Sequence, residues 1–271
     1  MAAPLTPAPR ARAGTALRAS AWLHAAAVGG VLAWPQGWPF AAGAVVANHL
    51  ALVAGGLWPR SRWLGGNWTT LPPESRARGE VALTLDDGPD PAVTPQVLDV
   101  LDRFGARASF FVVGERLAAA PALGREILAR GHSLENHSQH HRHHFSLLGP
   151  AGLRRELESA QQAIAAVGGR ARFFRAPAGL RNPFLDVQLQ RAGLQLVSWT
   201  RRGFDTVSAD GDRIHARLTR HLAAGDILLL HDGHAARAPD GRPVVLDVLP
   251  RLLAELERAG LRSVSLPMAA A

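Results

Sequence analysis

Two long apolar runs open the chain, residues 16–34 and 37–58, separated by a Pro-Gln-Gly-Trp-Pro turn at residues 35–39. The second is free of charge and approaches the ~20 residues that cross a bilayer core, with Trp38 and Trp58 where interfacial aromatics belong. The first is interrupted by Arg18 and His24. Together they predict a membrane hairpin; a signal peptide and a pair of buried soluble helices are the alternatives. From Glu80 onward the period changes. Short β-rich runs near 80–86, 107–113, 131–136, 171–175, 194–199, 226–231 and 261–265 alternate with amphipathic stretches. Thr94-Pro95 precedes Val97, Leu98, Leu101 and Phe104; Leu153, Leu157, Gln161 and Ile164 share one helical face. Asn182-Pro183 leads into Leu185 and Leu189, and Pro243 into Leu246, Leu249, Leu253 and Leu256. Gly105, Gly131, Gly193 and Gly260 stand where helices should end. This alternation predicts an α/β fold, a distorted (β/α)7-type barrel of parallel strands preceded by two transmembrane helices, with its site at the C-terminal strand ends.

Composition sharpens the boundary. Six of the seven Trp fall before residue 69, and no Asp or Glu occurs before Glu74. Residues 1–73 therefore read as a membrane anchor and 74–271 as a catalytic domain. The formal charge of +8 owes much to the five acid-free Arg of the anchor, and no Arg-rich run carries interleaved aromatics, so nucleic acid is not a predicted partner. Arg10, Arg12 and Arg18 precede the hairpin and Arg60 and Arg62 follow it, which by the positive-inside rule puts both ends in the cytoplasm and the anchor in a bacterial-type inner membrane. There is no Cys, so a metal must be held by His, Asp or Glu.

Candidate chemistry concentrates in three places. The apolar strand Val81 to Leu85 runs directly into Asp86-Asp87-Gly88-Pro89, and two carboxylates at the end of a buried strand need a cation or a proton partner. Six His lie within residues 132–144; His137 and His141, or equally His140 and His144, are four apart and would share one side of a helical turn. With Asp87 either pair makes a one-carboxylate, two-imidazole set that leaves positions open for water and substrate, and Asp86 is then free to serve as general base. Arg175 and His231-Asp232 fall at further predicted strand ends.

In this order the motifs resemble those of the polysaccharide deacetylases, the NodB-homology group of carbohydrate esterases. Thr84-Leu85-Asp86-Asp87-Gly88-Pro89 resembles the first motif, with Leu85 where Phe is usual, and His137-Ser138-Gln139-His140-His141 the second. Arg175-Ala176-Pro177-Ala178-Gly179 resembles the third, Trp199 with Asp205 the fourth, and Leu228-Leu229-Leu230-His231-Asp232 the fifth; the likeness spans roughly residues 79–266. The resemblance selects the His137/His141 pair. It implies a divalent metal on Asp87, His137 and His141, zinc first, with cobalt, nickel or manganese as alternatives. It implies Asp86 as base, His231 as acid, Arg175 orienting Asp86 and Asp205 supporting His231. The Ala178 N–H would face the oxyanion, and Leu229 and Trp199 would wall the substrate. The implied reaction removes acetyl, or formyl, from an N-acylated amino sugar in a polysaccharide or lipid-linked glycan. Ala178 in place of a frequent aromatic, the Arg201-Arg202 pair and the hairpin favour a lipid-linked or phosphorylated sugar. An amidohydrolase of non-sugar amides and a non-catalytic glycan binder are the other readings.

Overall fold

The computed structural model describes residues 14–271; the basic positions Arg10 and Arg12 lie outside them. Eleven α-helices occur among the described residues: α1 Thr15–Ala33, α2 Trp38–Leu57, α3 Pro73–Ala77, α4 Thr94–Arg103, α5 Gly114–Ala119, α6 Pro121–Ala129, α7 Pro150–Ala166, α8 Leu185–Ala192, α9 Gly211–Thr219, α10 Val245–Arg258 and α11 Leu266–Ala269. The strands are β1 Glu80–Asp86, β2 Ser109–Val112, β3 Ser133–Asn136, β4 Phe173–Phe174, β5 Gln195–Leu196, β6 Arg201–Arg202, β7 Ile227–His231 and β8 Arg262–Val264. Every pairing between them is parallel.

The strand order is β5-β4-β3-β2-β1-β7-β6, with β8 also on β1. β1 is central because all seven of its residues are buried, as a strand covered on both faces requires. The two ends of this row are neighbours in sequence: Leu196 closes β5 and Arg201 opens β6. Five Cα steps reach at most ~19 Å, whereas seven flat strands would span ~29 Å. The sheet must therefore curl. Residues 68–71 bridge the gap that remains. Trp68 N–H donates to Leu196 O at 2.9 Å, Ser198 N–H to Trp68 O at 2.8 Å, and Leu71 N–H to Gly225 O at 2.8 Å. The result is a curled, near-closed parallel sheet, with the strand at Arg201–Arg202 added to the seven predicted.

Helices pack outside this sheet because their apolar stripes face it. In α10, Val245, Leu246, Val248, Leu249, Leu252, Leu253 and Leu256 are buried on one face. The four glycines predicted to end helices all take positive φ, between 57° and 81°. Thr94 opens α4, but its hydroxyl accepts Asp90 N–H and donates to Asp232, so it braces the site instead of capping the helix.

α1 and α2 are 19 and 20 residues long, about 30 Å each. They are not core helices: Leu32, Trp22 and Phe40 are 79, 76 and 74 % exposed. They pair with one another through Asn48 Nδ2 to Ser20 Oγ at 2.8 Å and a His24–His49 contact at 3.3 Å. The end of α2 docks closely on the sheet domain. Arg181 N–H donates to Gly56 O at 3.2 Å, and a Cβ at Gly56 would lie 2.2 Å from the Arg181 carbonyl, so only glycine fits.

Candidate active site

The C-terminal ends of β1, β3 and β7 deliver the chemistry to one pocket of about 400 Å³, lined by Asp86, Asp87, His137, His141, Ala178, Trp199, Arg202, Leu229 and His231 among others. A larger depression of about 1120 Å³ lies at the opposite strand ends, beside Arg172 and Gln195, and gathers none of these groups. Asp86 and Asp87 would point to opposite faces of a regular strand. Asp87 instead takes a left-handed backbone, φ 70°, and turns its carboxylate back beside Asp86.

His137 and His141 also meet, their ring centroids 4.9 Å apart, but not on a helix as the spacing suggested. Ser138 and His141 adopt φ 68° and 48° in an irregular loop that doubles back. His137 Nδ1 donates to Arg175 O at 2.8 Å, which leaves Nε2 as a lone pair aimed inward. That Nε2 lies 3.2 Å, and His141 Nε2 3.1 Å, from Asp87 Oδ1. This carboxylate oxygen is buried and has no hydrogen-bond donor. Asp87 Oδ1 and the two imidazole nitrogens thus converge, a donor set that a cation satisfies. Two ligands ~2.0–2.1 Å from a tetrahedral zinc lie ~3.3 Å apart, so the donor set fits.

Behind the triad are two buried charge relays. Arg175 is 1 % exposed; its Nη1 donates to Asp86 Oδ1 at 2.6 Å and Thr84 Oγ1 at 2.8 Å, and its Nη2 to Ser198 O at 2.8 Å. The guanidinium also stacks 4.1 Å from the Phe111 ring centre. Across the pocket, His231 Nδ1 donates to Asp205 Oδ1 at 2.8 Å, while Asp205 Oδ2 accepts the His231 backbone N–H at 2.7 Å.

The polysaccharide deacetylase family model matches residues 74–197. A peptidoglycan-N-acetylglucosamine deacetylase of Bacillus cereus is 32% identical over 187 residues, covering 68% of this chain and 85% of that protein. The chain belongs to the polysaccharide deacetylase family. A chitooligosaccharide deacetylase of Bradyrhizobium is 34% identical, with 69% of this chain and 89% of that one aligned. Among solved structures, a family 4 carbohydrate esterase from Streptomyces lividans in complex with acetate superposes with a TM-score of 0.62 and 34% identity, covering 68% of this chain and 91% of that one.

Electrostatics in this deacetylase pocket divide the titratable groups. Burial alone would raise the Asp87 pKa, but His137, His141 and His231 around it hold it well below the usual carboxylate range. Burial, aided by His137, pushes His141 down to about 4, so it is a neutral imidazole at pH 7 and ready to donate a lone pair. His231 moves the other way: burial opposes its charged form, yet Asp205, with Asp86 and Asp87 beyond, raises its pKa. Asp232, next in sequence, is pushed up to about 7 by burial; it accepts from the Thr94 hydroxyl at 2.5 Å and fills the space a side chain at Gly88 would need.

Three groups at this site escaped the sequence reading. Glu156 of α7 accepts the backbone N–H groups of Gln139 and His140 at 3.0 Å each, His140 Nδ1 at 2.8 Å and Arg142 Nε at 3.0 Å. It thereby fixes the loop that carries His141. Arg116 donates to the Asp87 carbonyl at 2.6 Å, and His234 stands at the pocket mouth 3.7 Å from Asp87 Oδ2. Of the remaining histidines, His132 is buried against Phe110 and accepts Ala108 N–H, while His143 and His144 are exposed. The Arg201-Arg202 pair divides. Arg201 pairs with Asp226 at 2.5 Å and donates to the carbonyls of Arg220 and His221, away from the pocket. Arg202 lines the pocket, over the Trp199 and Phe204 rings at 5.3 and 4.9 Å.

Proposed function

We propose that this chain hydrolyses the N-acetyl amide of N-acetylglucosamine residues in a glycan, an N-formyl group being the smaller variant of the same substrate. The observation that carries the reading is the convergence in one pocket of a cation-ready Asp87/His137/His141 triad with Asp86 on one side and His231 on the other. Asp87, His137 and His141 would hold a divalent cation, zinc first by the chemistry of these donors, which when bound would supply polarisation of the acyl carbonyl and acidification of a water. The protein's own groups do the proton work. Arg175 occupies Asp86 Oδ1 and orients the carboxylate, so that its other oxygen takes the proton of the attacking water. Asp205 holds His231 with its Nδ1 committed, which leaves Nε2–H to protonate the departing amine. Acetate and a free amino sugar result, and the two protons balance. Leu229 and Trp199 form the apolar wall for the acyl methyl and sugar, and the Ala178 N–H on its exposed rim loop meets the oxyanion.

We further propose that α1 and α2 anchor the enzyme in a membrane and that the catalytic unit begins near Asn67, where the chain joins the sheet, rather than at residue 74. Both outer ends of the hairpin emerge on the domain's side. Arg18, Arg60 and Arg62 at those ends favour the cytoplasmic face. The chain has no Cys, so a single exposed Val207→Cys reports the side cleanly. The cytoplasmic assignment requires labelling by a membrane-impermeant maleimide only after permeabilisation; labelling of intact cells reverses it. The catalytic assignment is tested with Asp86→Asn and His137→Ala. The first should retain metal and lose at least 100-fold in turnover, the second should lose both, and an active Asp86→Asn enzyme removes Asp86 from the role of base.

A further inference from the structure

A second cavity, about 380 Å³, lies between α2 and the loop that follows the Ala178 rim. Leu52, Val53 and Leu57 of α2 form one wall, and Leu147, Leu180 and Phe184 the other. Only five large apolar side chains beyond Trp63 are exposed among the described residues, and two of them, Leu147 at 83 % and Phe184 at 43 %, line this groove. The groove is fixed in shape. Asn182 Nδ2 donates to Ser146 O at 3.0 Å and Leu148 O at 2.8 Å, tying the two loops together, while the Arg181–Gly56 backbone contact clamps α2 onto them.

It also adjoins the catalytic pocket along the chain. Ala178 and Gly179 line the pocket and Leu180 and Arg181 line the groove, so at most ~11 Å of backbone separates them. Pro59, just past α2, closes the angle by packing on Gly179, within reach of Trp199. Two guanidinium groups flank this path, each with a buried Nε that has no acceptor: Arg181, 5 % exposed, in the groove and Arg202 in the pocket. An apolar channel beside a membrane-length helix, followed by cations and then the acyl-cleaving site, matches the order hydrocarbon, phosphate, sugar. A water-soluble glycan has no use for the first part.

We infer that the groove between α2 and residues 180–184 receives the hydrocarbon chain of a lipid-linked amino sugar and so delivers its acylated sugar to the catalytic pocket; this rests on the deacetylase reading above. The test uses the full chain in nanodiscs, with farnesyl-phosphate-linked N-acetylglucosamine and an N-acetylglucosamine pentamer as substrates. Val53→Trp fills the groove and Leu147→Asp charges its lip. Each should lower kcat/KM for the farnesyl substrate at least tenfold relative to the pentamer, and should weaken direct binding of the farnesyl substrate by native mass spectrometry at least tenfold. Equal effects on both substrates, or undiminished binding by both variants, overturn the inference. So does displacement of the farnesyl compound by an ordinary phospholipid at equal concentration, which assigns the groove to bilayer lipid. If wild type binds the farnesyl compound but cleaves neither substrate, the deacetylase reading fails while the groove assignment stands.

Discussion

Replacing Asp205 by Asn isolates the proton that the account assigns to His231. Asp205 is fully buried and makes two hydrogen bonds to His231, one to the ring at 2.8 Å and one to the backbone at 2.7 Å. Asn keeps the shape and an acceptor but removes the charge. A hydrogen bond to a charged partner contributes about 1.5–3 kcal/mol, which is about 10- to 150-fold in rate if it acts in the transition state. The sign of the pH effect follows from the raised pKa of His231. The imidazolium is present below that pKa and lost as pH rises through it, so removing Asp205 moves the loss of activity to lower pH. The assay compares kcat/KM against pH for an N-acetyl amide, whose amine must be protonated to leave, and for an aryl acetate, whose phenolate need not be. The amide rate at pH 7 should fall about 10- to 150-fold and the aryl acetate rate much less. An equal loss for both substrates, or an alkaline limb that stays in place, would refute the acid role of His231.

Two other residues separate positioning from chemistry and folding from function. Glu156→Ala removes the anchor of the His141 loop without touching a ligand, and should weaken metal affinity about 10- to 100-fold, with activity recovered at saturating metal; a loss that added metal does not repair would mean the loop is held by something else. Glu135 is fully buried, accepts the Arg172 and Phe173 backbone N–H groups, and is pushed up to about 7 by burial. The folded state therefore keeps a proton that the unfolded chain releases, and stability falls as pH rises from about 4.5 to 7, by roughly 3 kcal/mol for this group. Glu135→Gln should flatten that slope in chemical denaturation; an unchanged slope would place the pH dependence elsewhere.

The sequence showed most clearly what local pattern controls. β1 and its terminal carboxylates stood out because an all-buried parallel strand reads as a continuous apolar run that ends abruptly in charge. Helix ends were legible from Pro and Gly for the same reason: the constraint is in the residue itself. β6 was not, since two arginines in a bend carry no strand signal and pair only because the curled sheet brings β7 alongside. Had it been read as a strand, alternation alone would have sent Arg201 and Arg202 to opposite sides, as observed. The choice between His137/His141 and His140/His144 depends on left-handed residues at 138 and 141, which spacing does not encode, and it came from family resemblance. Glu156 escaped because its contacts cross from a separate helix to a loop. Trp68 to Leu71 were grouped with the anchor by composition, although they seal the sheet.

The most direct test of the central claim is acetate release from N-acetylglucosamine oligomers by this chain, stripped of metal and then reconstituted, alongside an Asp87→Ala variant. The account predicts no acetate from the stripped protein, recovery on adding one equivalent of zinc or a similar divalent ion, and no recovery for Asp87→Ala. Acetate release that survives metal removal, or that returns in Asp87→Ala with one equivalent of metal, would contradict it.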